Sequence, residues 1–135
     1  MKIHTTLAVT GALLLAAGAA TAQTALPEHF AKMDKDGDGK LSPAEWTRDK
    51  PQTFKKIDAN GDKFADKAEV EKFYVAIAPL DDPKTAKRIS GILNADANAD
   101  GKVTIEELTE YSLADFKKRD KDGDGFISGD DAAKK

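Results

Sequence analysis

The chain contains no cysteine, one tryptophan and two histidines among its 135 residues. Without cysteine it can form neither a disulfide nor a lipid-modified cysteine anchor, so the usual covalent staple of small exported domains is missing. His4 lies in the N-terminal apolar segment and His29 stands alone. The sequence shows no zinc-ligand spacing, no serine–histidine–acid set and no phosphate-binding glycine loop. The chain is therefore not expected to be an enzyme.

Long apolar runs are equally scarce. The one such run, Leu7 to Ala20, has 14 residues, follows Lys2 and ends at Ala20-Thr21-Ala22, which is a small-residue cleavage pattern. A bilayer span needs about 20 apolar residues. We therefore predict a signal peptide at residues 1–22, no membrane anchor, and a mature chain of residues 23–135 that is periplasmic or secreted.

Positive charge is not concentrated anywhere. Lysines and arginines such as Lys117, Lys118 and Arg119 are interleaved with acids, so nucleic-acid binding is not expected. The whole chain has 21 basic and 24 acidic residues, and loss of Lys2 with the signal would change the net charge from −3 to −4. Fifteen of the acids fall at a few repeated positions in four short segments, where they would repel one another unless a cation joined them.

These four segments are aspartate-rich and twelve residues long: residues 34–45, 58–69, 96–107 and 120–131, here called loops one to four. Each places an oxygen-bearing side chain at positions 1, 3 and 5 and an acid at position 12, and three carry glycine at position 6. A hard cation such as Ca²⁺ takes six to eight oxygen ligands, which alternating short acids supply from one tight turn. At position 7 the expected ligand is the backbone carbonyl, with the side chain directed away from the ion.

The predicted ligands occupy loop positions 1, 3, 5, 7 and 12. In loops one and two they are Asp34, Asp36, Asp38, Lys40, Glu45, Asp58, Asn60, Asp62, Phe64 and Glu69. In loops three and four they are Asp96, Asn98, Asp100, Lys102, Glu107, Asp120, Asp122, Asp124, Phe126 and Asp131. The expected ion is Ca²⁺, with Mg²⁺ or a lanthanide ion as alternatives.

The loops differ in how closely they follow the calcium pattern. Loops one and three follow it most closely. Loop two has Lys63 in place of the position-6 glycine, where a left-handed backbone costs about 1–2 kcal/mol, although Asp66 at position 9 adds an acid. Loop four ends in Asp131, whose shorter side chain makes a bidentate contact harder. We expect loops two and four to bind calcium more weakly than their partners.

Helical spacing of apolar residues surrounds every loop. We predict helices over residues 27–33, from loop one towards Ile57 with an interruption at Lys50-Pro51, and over 66–78, 84–94 and 104–118, with a short tail helix near Gly129. Residues 79–83 contain two prolines and are predicted to be a linker. The apolar residues that flank the loops should pack into a shared core: Phe30, Met33, Phe54, Ile57, Ile92, Ala95, Phe116, Trp46, Val70, Phe73, Tyr74, Leu108 and Tyr111.

Loop spacing predicts which loops pair. Loops one and two, and loops three and four, are each separated by 12 residues, whereas 26 residues separate loops two and three. Twelve helical residues span about 18 Å and would hold two loops at opposite ends of one helix. Loop two should therefore pair with loop three through Ala65 and Val103, and loop one with loop four through Leu41 and Ile127. The alternative is that Pro51 breaks the first connector and lets loops one and two fold together.

The loops and their flanking helices resemble the EF-hand superfamily over nearly all of residues 27–132. The resemblance implies an all-α domain of helix–loop–helix units with four calcium-type loops and short β-bridges between paired loops. The signal pattern and the close loop spacing are similar to those of small exported bacterial EF-hand proteins and, in part, of lanmodulins. Lanmodulins have proline at loop position 2, where this chain has Lys35, Ala59, Ala97 and Lys121.

The implied function is calcium buffering or sensing outside the cytoplasm. Lanthanide binding of the lanmodulin kind is one alternative, and a calcium-ordered surface that docks an unknown protein partner is another. Met33 is the single methionine of residues 23–135. Promiscuous target grooves of the calmodulin kind are rich in methionine, so such a hub is disfavoured.

Overall fold

The computed structural model describes residues 24–134. The predicted signal peptide, residues 1–22, lies outside the described residues. Within residues 24–134, no helix combines the length and the apolar character needed to cross a bilayer. The described part is rich in helix and contains one two-stranded antiparallel sheet.

The helices and strands follow the order expected from the apolar periodicity. They are α1 (Glu28–Ala31), α2 (Pro43–Thr47), α3 (Lys50–Ile57), β1 (Ala65–Asp66), α4 (Lys67–Val75), α5 (Pro83–Leu93), β2 (Lys102–Val103), α6 (Ile105–Arg119) and α7 (Gly129–Ala133). The predicted interruption is present, but it lies at residues 48–49 between α2 and α3, just before Lys50-Pro51. Pro51 lies in the first turn of α3, where the missing N–H removes no intrahelical bond.

The predicted loop pairing is confirmed. Ala65 in β1 faces Val103 in β2 in antiparallel register. Leu41 and Ile127 form an isolated antiparallel bridge, with N–H to carbonyl distances of 2.8 and 2.9 Å. Pro51 does not bring loops one and two together. The chain therefore nests its loops: an inner pair of loops two and three, and an outer pair of loops one and four.

The core is divided, and this differs from the shared core expected from sequence. One cluster lies around the inner pair and includes Phe54, Ile57, Val70, Ile92 and Leu108. The other lies around the outer pair and is built on Leu41, Phe116 and Ile127, with Phe30, Met33 and Trp46 packed against it. The division follows from the connectors, because α6 has 15 residues and keeps loops three and four apart.

One predicted core residue is wrongly placed. Tyr111 on α6 is 40% exposed and joins neither cluster. Ser112, its neighbour, is buried instead and donates its hydroxyl to the carbonyl of Leu108 at 2.8 Å. The buried residues of α6 are Leu108, Ser112 and Phe116, each four residues after the last, so Tyr111 lies beside the buried face and not within it.

The N-terminal residues close the outer pair. Leu26 packs against the outer cluster, and the backbone of Thr24 and Ala25 lies close to Gly129 at the start of α7. A side chain at Gly129 would collide with the backbone carbonyl of Thr24. Glycine is therefore required at position 10 of loop four by the close approach of the N-terminal backbone.

Candidate metal centre

Each loop begins with an aspartate that organises the turn behind it. Asp34 accepts the N–H of Gly37 on Oδ1 at 2.7 Å and the N–H of Gly39 on Oδ2 at 2.9 Å. Asp58 and Asp120 make the same two contacts with positions 4 and 6 of their own loops. These bonds wrap the backbone around the first carboxylate, so the carboxylates that follow turn towards a common centre.

The acid at position 12 closes the turn from the other side. Glu45 accepts the N–H of Lys35 on Oε1 at 2.7 Å and the N–H of Ser42 on Oε2 at 3.0 Å. Bonds from Ser42 and Lys35 to the charged form lower the pKa of Glu45 to about 2. A hydrogen bond from Thr104 likewise lowers the pKa of Glu107. The carboxylate is thus held ionised and oriented before any cation arrives.

This acid also starts the helix that leaves the loop. Ser42, Asp66 and Thr104 are N-cap residues at loop position 9, and each forms a capping box with the position-12 acid. The same carboxylate therefore satisfies a helix terminus and faces the loop interior. Helix start and candidate ligand are fixed by one arrangement of hydrogen bonds.

Loop four reaches the same closure with a shorter side chain. Asp131 is 2% exposed, and its oxygens accept the N–H groups of Lys121 and Ser128, both at 2.8 Å. Burial raises the pKa of Asp131, but these hydrogen bonds outweigh burial, so its pKa is lowered overall. The predicted handicap of aspartate at position 12 does not prevent the loop from closing.

Three loops bring three carboxylates together with one oxygen of each within 4.8 Å of the others. The clusters are Asp34, Asp36 and Glu45; Asp58, Asp62 and Glu69; and Asp120, Asp122 and Asp131. Loops two and four, which the sequence ranked lower, are among them. Within residues 24–134, the carboxylates of loop three do not form such a cluster, although loop three follows the sequence pattern closely.

Position 4 explains part of the difference between loop three and the other loops. Positions 4 and 6 both have positive φ in every loop, and loop three has Ala99 at position 4 with φ 59°. Its N–H makes no bond to Asp96, whose Oδ1 is contacted instead by the N–H of Asp100 at 3.3 Å. The hydrogen bond that Glu107 accepts from the N–H of Ala97 is also long, at 3.3 Å, whereas the equivalent bond from Lys35 to Glu45 in loop one is 2.7 Å. Loop three therefore has the loosest turn.

Loop two has its left-handed substitution at the position expected from sequence. Lys63 at position 6 has φ 70°, and its N–H still bonds Oδ2 of Asp58 at 3.0 Å. Loops one and four have glycine at both left-handed positions, whereas loops two and three each have one non-glycine residue there. The recurrence of glycine at position 4 in three loops was the sequence signal that could have revealed this second position.

The position-7 side chains do not simply leave the loops. Lys40 turns away from loop one but reaches loop four, where its Nζ lies 3.1 Å from Oδ2 of Asp124. That contact raises the pKa of Lys40, while the N–H of Phe126 and then Lys40 lower the pKa of Asp124. In the inner pair, Lys102 lies over the ring of Phe64 at 4.9 Å. Lys40 thus turns away from its own loop, as expected, but it contacts a candidate ligand of loop four, which the sequence did not predict.

Comparison with known families agrees with this geometry. A family model described as EF hand matches residues 28–48 and 93–110. These two segments are therefore similar to EF hands. The matched segments contain loops one and three, the helices on either side of loop one and the first turns of α6, and the match does not extend over loops two and four. No curated protein matches the chain.

EF hands are typically calcium-binding and non-enzymatic. The donor chemistry suits such an ion, because the clusters consist of carboxylate oxygens that a hard divalent cation prefers. The first segment that the EF-hand model matches contains one of the three carboxylate clusters. The arrangement can therefore gather oxygens around a divalent metal ion.

Proposed function

We propose that this chain is an exported calcium-binding protein that acts as a buffer, with ions held by all four loops. The observation that carries the proposal is the convergence of three carboxylates in loops one, two and four, with one oxygen of each within 4.8 Å of the others. Like charges at this separation repel strongly unless a cation lies between them. A divalent ion relieves that repulsion and uses groups that the backbone already holds in position.

The proposed ligands are those predicted from the loop pattern. In each loop, positions 1, 3, 5 and 12 would supply side-chain oxygens and position 7 its backbone carbonyl. When bound, the ion supplies charge neutralisation and joins the entering and leaving helices of its loop. In loops two and three, Asn60 and Asn98 would supply amide oxygens in place of carboxylates. The turn of loop three would also have to tighten.

The scarcity of methionine favours buffering over switching. A sensor needs a groove that opens to bind targets, and such grooves are rich in methionine. Met33 is half-buried in the outer cluster and is the single methionine of residues 23–135. Calcium outside the cytoplasm is plentiful, so sites of modest affinity would stay filled and would stabilise the fold.

Export rests on the N-terminal sequence alone. Lys2, the apolar run and the Ala20-Thr21-Ala22 pattern have the order of a secretory signal. Expression of the whole chain in a bacterial host, followed by mass spectrometry of the periplasmic fraction, tests this directly. We expect a product that begins at Gln23. An intact cytoplasmic chain would contradict export and leave ion binding untouched.

Isothermal titration of residues 23–135 with Ca²⁺, Mg²⁺ and La³⁺ tests the ion. We expect calcium binding at several sites, a rise in thermal stability and a compaction of the chain on filling. The variants Glu45→Gln and Glu69→Gln should each remove binding from one pair. Glu110→Gln is the matched control, because Glu110 is exposed on α6 outside every loop.

The same titration separates calcium from lanthanide handling. A protein built for calcium responds to Ca²⁺ at up to millimolar concentration and discriminates against Mg²⁺. Picomolar response to La³⁺ with little response to millimolar Ca²⁺ would replace the calcium proposal by the lanthanide one. Indifference to all three ions would overturn both.

A further inference from the structure

Lys40 places a positive charge against a candidate ligand of a different loop. Its Nζ lies 3.1 Å from Oδ2 of Asp124, the position-5 residue of loop four. The other oxygen of this carboxylate, Oδ1, accepts the N–H of Phe126 at 2.9 Å. The ammonium also lies 5.2 Å from the centroid of the Phe126 ring. Contacts between loop one and loop four therefore hold the ammonium of Lys40 in this position.

The contact between Lys40 and Asp124 adds little to the stability of the fold. The side chains of Lys40 and Asp124 are 31% and 38% exposed, and ion pairs at this exposure contribute little to stability. The effect on a bound ion is larger, because the Coulomb energy grows with the product of the two charges. A cation in loop four would share Asp124 with the ammonium and would be repelled by it.

The inner pair provides an internal comparison. Lys102 occupies position 7 of loop three, as Lys40 does in loop one, and it also lies over the phenylalanine of the partner loop. The equivalent acid in loop two is Asp62. Among residues 24–134, the ion pairs within 4 Å do not include one between Lys102 and Asp62. The ammonium–ligand contact thus distinguishes the outer pair from the inner pair.

We propose that Lys40 is a specificity-determining residue of loop four, whose ammonium lowers the affinity of loop four for multivalent cations and lowers it more for trivalent than for divalent ions. This inference rests on the proposed function, since it requires that loop four binds ions. A fixed charge repels an ion in proportion to the ion's charge, so the logarithm of the penalty for La³⁺ should be one and a half times that for Ca²⁺. By reciprocity, an ion in loop four weakens the contact of Lys40 with Asp124.

The test is a set of Ca²⁺ and La³⁺ titrations of the whole protein followed by amide NMR. The N–H groups of Gly39 and Gly125 bond the first aspartate of loops one and four at 2.9 and 3.0 Å, so each resonance reports its own loop. We expect Lys40→Gln to tighten loop four on the order of fivefold for Ca²⁺ and tenfold for La³⁺ at low salt. Both gains should shrink in high salt, because screening removes the repulsion.

Two further variants separate charge from shape. Lys40→Arg keeps the positive charge and should retain the affinities of the unchanged protein. Lys102→Gln removes the equivalent charge from the inner pair and should change loop two less than about twofold, because no ion pair joins Lys102 to Asp62. Circular dichroism melting of each variant checks that folding is unaffected.

The outcomes distinguish this inference from the proposed function. If the unchanged protein binds ions in loop four but Lys40→Gln leaves that affinity unchanged or weakens it, the inference is overturned and the proposed function stands. Equal gains for Ca²⁺ and La³⁺ would likewise overturn the charge selectivity. If loop four of the unchanged protein binds neither ion, both the inference and the loop-four part of the proposed function fail.

Discussion

The indole Nε1 of Trp46 donates a 2.9 Å hydrogen bond to the backbone carbonyl of Ser112 in α6. Trp46 directly follows Glu45, whereas α6 connects loop three to loop four. The rings of Phe30 and Phe116 contact the indole edge-on. Trp46 therefore links the exit of loop one to the helix that joins the two pairs.

Removal of this hydrogen bond should loosen the outer pair. Trp46→Phe is expected to lower the free energy of unfolding by about 1–2 kcal/mol, through the lost hydrogen bond and the smaller buried ring. Urea unfolding monitored by circular dichroism measures this loss. Tyr111→Phe is the control, since the exposed Tyr111 should change stability by less than about 0.5 kcal/mol. Equal losses in the two variants would contradict the role assigned to Trp46.

Engineered disulfides test the loop pairing in solution, and the absence of native cysteine makes the result unambiguous. Leu41 and Ile127 exchange two backbone hydrogen bonds, a geometry in which opposite Cα atoms lie about 5.5 Å apart and a disulfide can form. The double variant Leu41→Cys/Ile127→Cys should oxidise readily. Leu41→Cys/Ala65→Cys, which would join loops one and two, should not. Mass spectrometry after mild oxidation gives the answer, and the reverse result would refute the nested pairing.

Glycine at position 6 of loop two should relieve backbone strain. Lys63 has φ 70°, and Lys63→Gly is expected to raise the free energy of unfolding by about 0.5–1 kcal/mol after the extra chain entropy of glycine is subtracted. The matched control is Lys35→Gly, at a loop position without positive φ, which should lower stability slightly. Thermal unfolding of both variants measures the difference. A loss of stability in Lys63→Gly would show that the lysine side chain matters more than its backbone.

Glycine at position 4 should repair loop three. Ala99 has φ 59°, and Ala99→Gly would let its N–H approach Asp96 as in the other loops. We expect tighter calcium binding in loop three, followed by the amide resonance of Gly101. Ala97→Gly changes the same residue type at position 2 of the same loop and should not tighten binding. Equal effects in the two variants would indicate a general gain in flexibility.

The protonation of Glu45 gives a pH prediction for the protein without bound metal. Its pKa is about 2 in the folded chain and near 4.5 when the side chain is unperturbed. Because the folded pKa is the lower one, Glu45 stabilises the fold fully above pH 4.5, and this stabilisation is lost as pH falls towards 2. Carbon-13 NMR of the carboxyl group should show the low titration midpoint. Glu45→Gln should flatten the stability profile over this pH range, and a midpoint near 4.5 would contradict the closed loop.

Much of this fold could be predicted from the sequence because spacing constrains it. The 12-residue connectors make contact between neighbouring loops difficult, so spacing and the position-8 bridge together predicted the partners Ala65–Val103 and Leu41–Ile127. The structure then excludes the alternative in which Pro51 lets loops one and two pair. Helix positions were predictable because apolar periodicity and prolines mark them. The exposure of Tyr111 was not predictable, since residues three and four positions after Leu108 both lie near its face of the helix, and periodicity does not choose between Tyr111 and Ser112.

The candidate site was less predictable than the fold. Ligand positions come from a local pattern, but the ranking of the loops depends on backbone torsions. Ala99 carries no charge and breaks no ligand rule, yet it leaves the turn of loop three without the N–H bond to Asp96. Lys40 and Asp124 belong to different loops and are 84 residues apart in the sequence. A search within single loops therefore could not reveal their contact.

The contact between Thr24 and Gly129 brings the two ends of the described chain side by side. A short peptide could therefore join them, and new ends could be opened between α4 and α5, at residues 79–82, without cutting either bridge. In such a circular permutant the outer pair would become the local one and the inner pair would need the distant closure. In the natural chain the outer pair closes the longer loop, and in the permutant the inner pair would do so. The outer pair should then form before the inner pair, in place of the opposite order expected for the natural chain.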